Sequence, residues 1–257
     1  LTAPSIIMQY TFIRDFNLGI VEIAEISGIV AIAWAVKPFI GMLVDYCSAF
    51  VHRRLQLCLA YCCTGIAYSL LSFMNNIFWF VFGLFLASFF LAFADVIQDS
   101  FLVHRLHNRS FSKRGSVQSL VWSARSIGSI FGCLFSAFFS FHRNRFAIIA
   151  MCQIGGIYCS LFMNEFHKNT NVKRNSLSIK EMFWDKNIIL FSLTLFFFAY
   201  EPGDSALFEY QIIKVYSVKP FILALAQVLS FTMIILSSLT FRSFFRNLKP
   251  VVVVTAT

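Results

Sequence analysis

Apolar runs of about twenty residues recur along this chain, separated by short polar and basic segments, and they decide what it can fold into. A helix of about 20 apolar residues is long enough to cross the hydrocarbon core of a bilayer. Such runs occupy Ile26–Val44, Leu55–Phe73, Ile77–Asp99, Val117–Ser140, Phe146–Met163, Asn187–Ile213 and Pro220–Phe241. A shorter run, Leu1–Met8, reads as the tail of a further helix, and another begins at Val251. Seven complete spans with a partial one at each end predict an all-α, polytopic membrane bundle. The chain opens without an initiator Met and closes inside an apolar run, the form of a fragment. A soluble globule could not hide so much hydrocarbon. Hydrophobic residues make up 58% of the chain and charged residues 13%, against roughly 25% charged in an ordinary soluble domain.

The basic residues alternate between the two ends of these spans. Fourteen of the 21 Lys and Arg fall in one set of loops: Arg53 and Arg54, the segment Arg105–Arg114, the segment Lys168–Lys186, and Arg242–Lys249. The other set holds five, namely Arg14, Arg143, Arg145, Lys214 and Lys219. Cytoplasmic loops carry the excess of Lys and Arg, so the richer set is predicted to face the cytoplasm. The longest polar stretch, 164–186, follows what would be the sixth helix. It divides the chain into an N-terminal six-helix half (1–163, first helix partial), a basic cytoplasmic central linker (164–186) and the start of a C-terminal half (187–257). The chain is expected in a membrane as a multi-pass protein, with the plasma membrane as its place.

A net charge of +9 would raise nucleic acid as a partner in a soluble protein. Here the cations sit in loops between spans, and the lipid bilayer is the partner that explains them. The seven cysteines are odd in number and fall mostly inside apolar runs, without a metal-type spacing, so they read as free thiols. No metal and no cofactor is expected. An enzyme would need a Ser/His, paired-Asp or His-rich constellation on facing helices. Asp95 and Asp99 share one helix instead, with no intramembrane His beside them.

Ionisable groups inside spans cost about 2.5 kcal/mol or more each, and they mark function. Six qualify: Lys37, Asp95, Asp99, Arg125, Glu201 and Asp204. Arg125 lies about ten residues into its span, near the midplane; it must face a ligand or pair with a carboxylate of a neighbouring helix. Lys37 precedes Pro38 and has a stem long enough to snorkel towards the edge. Asp95 and Asp99 are four apart on one helical face, either as an acidic stripe in a pathway or at the cytoplasmic rim. Glu201-Pro202-Gly203-Asp204 interrupts an apolar span, and broken helices at membrane depth line cavities. A separate pattern, Gly41, Asp45, Arg53 and Arg54, joins two helices through a short basic loop and has the form of a gating latch.

These patches resemble a known family. Gly41-x-x-x-Asp45 followed by Arg53-Arg54 resembles the major facilitator superfamily. Within it, Trp34-x-x-Lys37-Pro38-x-x-Gly41-x-x-x-Asp45 is similar to a segment of the folate–biopterin transporter family. Asp95-x-x-x-Asp99, Gln118-Ser119-x-x-Trp122-x-x-Arg125-x-x-Gly128 and Pro202-x-Asp204-x-Ala206-x-Phe208-x-Tyr210 resemble its helices four, five and seven. The chain departs from it at His104, where an acid is expected, and at Val51-His52-Arg53-Arg54. The resemblance implies a twelve-helix transporter of which this chain supplies helices one to eight and the start of nine. It also implies folate or another pteridine as the small-molecule substrate, and alternating access as the mechanism. Separately, a carboxylate that takes a proton on one side could couple uptake to protons as a coupling ion. A major facilitator transporter of another small organic anion, or a truncated membrane protein without transport activity, are the competing readings.

Overall fold

A computed structural model describes residues 7–48, 50–107, 111–139, 145–163, 186, 190 and 210–245. The chain forms two compact units, Leu1–Met163 with Ala206–Thr257, and Asn164–Ser205. Lys186 and Leu190 are the described residues of the second unit; the helices below all belong to the first.

The described residues are helical, with no strand among them. The helices are α1 (Ile20–Ala35), α2 (Lys37–Cys47), α3 (Arg53–Leu71), α4 (Ile77–His107), α5 (Phe111–Phe139), α6 (Arg145–Leu161) and α7 (Pro220–Thr240). Among the described residues, five stretches are long and apolar enough to cross a membrane: Ile20–Cys47, Arg53–Leu71, Ile77–Val103, Gly115–Phe139 and Pro220–Ser243. Arg145–Leu161 is apolar but shorter, at 17 residues. The protein is therefore an integral, multi-pass helical bundle. Its outward face agrees with lipid as the solvent: Phe39, Phe73, Phe78, Phe131 and Phe138 are all exposed. A bilayer stabilises this surface where water would penalise it.

The predicted span Ile26–Val44 is longer than its apolar run and is not one straight helix. It runs from Ile20 to Cys47 and breaks at Val36, between α1 and α2. Pro38 has no N–H to continue the ladder and restricts the residue before it, so the chain restarts with Pro38 in the first turn of α2. Of the predicted span Asn187–Ile213, most lies outside the described residues, including the Glu201–Asp204 interruption. So do the run from Val251 and the stretch 164–185.

Packing follows the small side chains. α4 contacts α1, α2 and α3; α3 also packs along α6. At one end of the bundle Phe12, Ile23, Tyr68, Leu71, Phe80 and Phe146 form a buried cluster. Towards the other end, which carries Arg53 and Arg54, Ile40, Val44, Leu57, Ala60, Ala94 and Ile97 form a second. α5 instead packs along α7. Ser119 Oγ donates to the Ser238 carbonyl at 2.5 Å, Ser123 bonds Ser238 Oγ, and the Cys133 thiol reaches Gln227 Oε1 at 3.3 Å. Small residues let membrane helices approach, and hydroxyls bond across them.

The backbone also contains an internal repeat. The π-helical turns Thr11–Asp15 and Gln211–Val215 lie 200 positions apart, each ending in a residue with positive φ, Asn17 at 50° and Ser217 at 51°. Their hydrogen bonds match. Phe16 N–H bonds the Thr11 carbonyl and Leu18 N–H that of Phe12; Tyr216 N–H bonds Gln211 and Val218 N–H bonds Ile212. The helix that follows begins at Ile20 in one copy and Pro220 in the other. The Tyr10 hydroxyl crosses between the copies, donating to the Val218 carbonyl at 2.7 Å.

Candidate functional site

Four of the six intramembrane ionisable residues meet in one network. Lys37 Nζ lies 2.6 Å from Asp95 Oδ2, and Arg125 Nη2 lies 3.0 Å from Asp95 Oδ1 and 3.1 Å from Asp99 Oδ1. Three helices supply the network: Lys37 opens α2, the two acids sit one turn apart on α4, and Arg125 projects from α5. Asp95 is its hub and its most shielded side chain, 18% exposed against 55% for Asp99. Two cations face two carboxylates, so the set is neutral as a whole, the condition under which charges survive at membrane depth.

Both cations also carry an aromatic partner of the same register. Lys37 Nζ sits 4.3 Å from the Trp34 ring centroid, and Arg125 Cζ 5.7 Å from that of Trp122. The spacing Trp-x-x-Lys or Trp-x-x-Arg places ring and cation on one helical face, where the ring quadrupole attracts the charge. Lys37 thus turns into the protein, where snorkelling would have taken it to the edge. Arg125 lies ten residues into the stretch Gly115–Phe139, about 15 Å along the axis at 1.5 Å per residue.

Arg125 and Asp99 also line a cavity of about 370 Å³ bounded by α3, α4, α5 and α6. Its remaining polar wall includes Tyr61, Gln98 and Ser160, and its apolar wall includes Leu57, Phe101 and Met163. Gln98 Nε2 donates to the Tyr61 hydroxyl oxygen. Tyr61 and Gln98 carry no charge, so ionisable groups in the sequence do not point to them. A glutamine inside an apolar run is the signal that could have found the second.

The latch pattern occupies the basic end. Arg53 Nη2 lies 2.8 Å from Asp45 Oδ1, and its Nη1 donates to Ser100 Oγ at 2.5 Å, tying α3 to both α2 and α4. Arg54 Nη1 reaches the Leu161 carbonyl on α6 at 3.4 Å. A methyl added at Gly41 would meet Val96 at 3.8 Å, an ordinary contact, so this packing does not itself demand glycine there. Glu201 and Asp204 lie outside the described residues. Among the described residues no group of three or more His, Cys, Asp and Glu could hold a metal ion.

The sequence model of the BT1 family matches residues 2–257. A folate-biopterin transporter of Synechocystis sp. (strain ATCC 27184 / PCC 6803 / Kazusa) is 26% identical over 77% of this chain and 42% of its own length. The chain thus spans under half of that curated relative. No solved structure matches. With the family matched over nearly its whole length, on a multi-pass bundle whose charged residues converge inside the membrane, this chain belongs to the BT1 family.

Proposed function

We propose that the chain is part of a membrane transporter that moves folate or pterin compounds by alternating access. Residues 1–163 would form its first half, 164–186 a cytoplasmic linker and 187–257 the start of its second half. The observation that carries this reading is the neutral network of Lys37, Asp95, Arg125 and Asp99 beside a cavity at membrane depth. A structural ion pair needs two charges. Here four are held together on three helices, and one edge of the set borders empty space.

The geometry suits an anionic ligand. Arg125 spends a single nitrogen, Nη2, on both carboxylates. Its Nη1 and Nε donate no hydrogen bond to protein among the described residues and can present a second donor edge to a ligand carboxylate. A carboxylate of the pathway that takes a proton on one side would couple uptake to a proton gradient. Asp95 and Lys37 would hold Arg125 in place, and Glu201 and Asp204 are proposed as further substrate-binding or coupling residues. Gly41, Asp45, Arg53 and Arg54 would close the basic end in one state.

Uptake by cells making the full-length protein tests this. Folate or a pterin should accumulate, each competing with the other. Normal abundance in the membrane with no uptake of any pteridine would refute the substrate, and would favour another organic anion or a protein without transport activity.

A further inference from the structure

We propose that the cavity between α3, α4, α5 and α6 seats the ligand's flat heterocycle, and that Tyr61 and Gln98 are its specificity-determining pair. This rests on the function proposed above. It assigns a role to two residues that neither the ion network nor the sequence patterns include.

Three observations carry it. First, the two side chains are arranged as a complementary donor and acceptor. Gln98 spends one of its two amide N–H donors on the Tyr61 oxygen. The Tyr61 O–H and the Gln98 Oε1 then remain, with no partner for either among the described residues. A hydroxyl donor beside an amide acceptor matches the edge of a ring amide, where a C=O and an N–H are adjacent. A pterin carries that edge, with an amino group next to it. Asp99 lines the same cavity and can accept from the amino group.

Second, the tyrosine is held in place by its surroundings. Its ring lies against Gly156 of α6 so closely that an alanine Cβ there would sit 3.0 Å from the ring. Glycine lets the ring lie against the helix backbone, and the bond to Gln98 of α4 fixes the hydroxyl end. Burial of polar atoms in a membrane span is costly unless they are used, and internal packing alone would be served as well by phenylalanine and leucine.

Third, the size and wall chemistry suit a bicyclic ring. The volume, about 370 Å³, lies at the lower end of the ~300–1,000 Å³ typical of small-molecule sites, which are mostly apolar with a few placed polar groups. Phe101 and Tyr61 offer aromatic surface against which a ring can stack.

The test uses the full-length protein. Tyr61→Phe and Gln98→Leu should each raise the apparent KM for a pteridine about tenfold, the scale of one lost hydrogen bond with its partner left unpaired. Gly156→Ala, which removes no polar atom but displaces the ring, should also raise KM. Competition by an aminobenzoyl-glutamate, which has the tail without the pteridine, should be unchanged in all three. An independent arm needs no variant. Cys159 lines the cavity and is exposed, so a bound pteridine should slow its labelling by a maleimide, read by mass spectrometry, whereas the tail compound should not. If the unmodified protein moves no pteridine, the proposed function falls. If it does move one, while the variants keep its KM or Cys159 labels at an unchanged rate, the seat assigned here is wrong.

Discussion

Neutralising the hub of the ion network gives the most direct measure of what it contributes. Asp95→Asn keeps the side chain's shape and one acceptor oxygen but removes the charge. Lys37 then loses its carboxylate at 2.6 Å, and Arg125 keeps only Asp99 at 3.1 Å. A hydrogen bond to a charged group contributes about 1.5–3 kcal/mol net, and stranding one member of a fully buried pair costs about 3–5. The partners here are about one-third exposed, 32% for Lys37 and 36% for Arg125, so solvent and the two tryptophans recover part of the loss. About 2 kcal/mol is the expected cost, or roughly 4–8 °C in Tm at ~2–4 °C per kcal/mol for a chain of this size. Asp45→Asn is the control. It breaks the Arg53 pair at 2.8 Å, but Asp45 is 71% exposed, and such surface pairs contribute about 0–1 kcal/mol. Thermal unfolding of both variants in detergent, followed by tryptophan fluorescence or thiol reactivity, reads the difference. A double-mutant cycle with Lys37→Met should show a coupling above about 1 kcal/mol. If Asp95→Asn costs no more than Asp45→Asn, the network is solvated and its neutrality explains nothing.

Three further expectations follow from the same structure. Arg125→Lys keeps a cation between Asp95 and Asp99 but loses the second donor edge, so its Tm should stay within a few degrees while the apparent affinity for an anionic ligand falls about tenfold; unchanged affinity would remove Arg125 from the ligand site. Cysteines placed at 104–114 or 164–186 should resist an impermeant label in intact cells, and one placed at 143 should react, as the asymmetry of Lys and Arg requires; the inverse pattern would reverse the orientation. Ser217, held at φ 51°, should accept Gly with little change in Tm. Ser217→Val should cost about 1–2 kcal/mol, because a β-branched side chain clashes in the left-handed region; equal stability of the two variants would refute the strain.

Five of the predicted spans were legible because lipid imposes one requirement on every crossing segment, and a run of about twenty apolar residues meets it visibly. Lys37 and Arg125 were legible for the converse reason, as a charge in such a run is too costly to persist without a partner or a use. The division of labour between the acids was not. One helical face holds both, yet only Asp95 lies near enough to α2 to take Lys37 as well, and that depends on how α2 restarts after the break at Val36. Tyr61 was hidden among 33 Phe and eight Tyr, where one more aromatic reads as packing. Its role needs Gly156, 95 positions away, and no local pattern links the two. The repeat has a faint sequence counterpart: Tyr10, Ile13, Arg14, Phe16 and Leu18 stand 200 positions before Tyr210, Ile213, Lys214, Tyr216 and Val218, too few and too short a run to stand out from the apolar background.

That repeat has a mechanical meaning. Each turn is tied by its own backbone hydrogen bonds, so each is a stiff corner that keeps its form whatever its twin does. Two stiff corners set against each other make a joint, and the Tyr10–Val218 bond is a pin through it. The pin is one neutral hydrogen bond, about 1 kcal/mol, a factor of about five in an equilibrium. Around the pin, Tyr10 is buried in one cluster with Ile213 and Leu223, so apolar packing as well as the hydroxyl holds the two corners together.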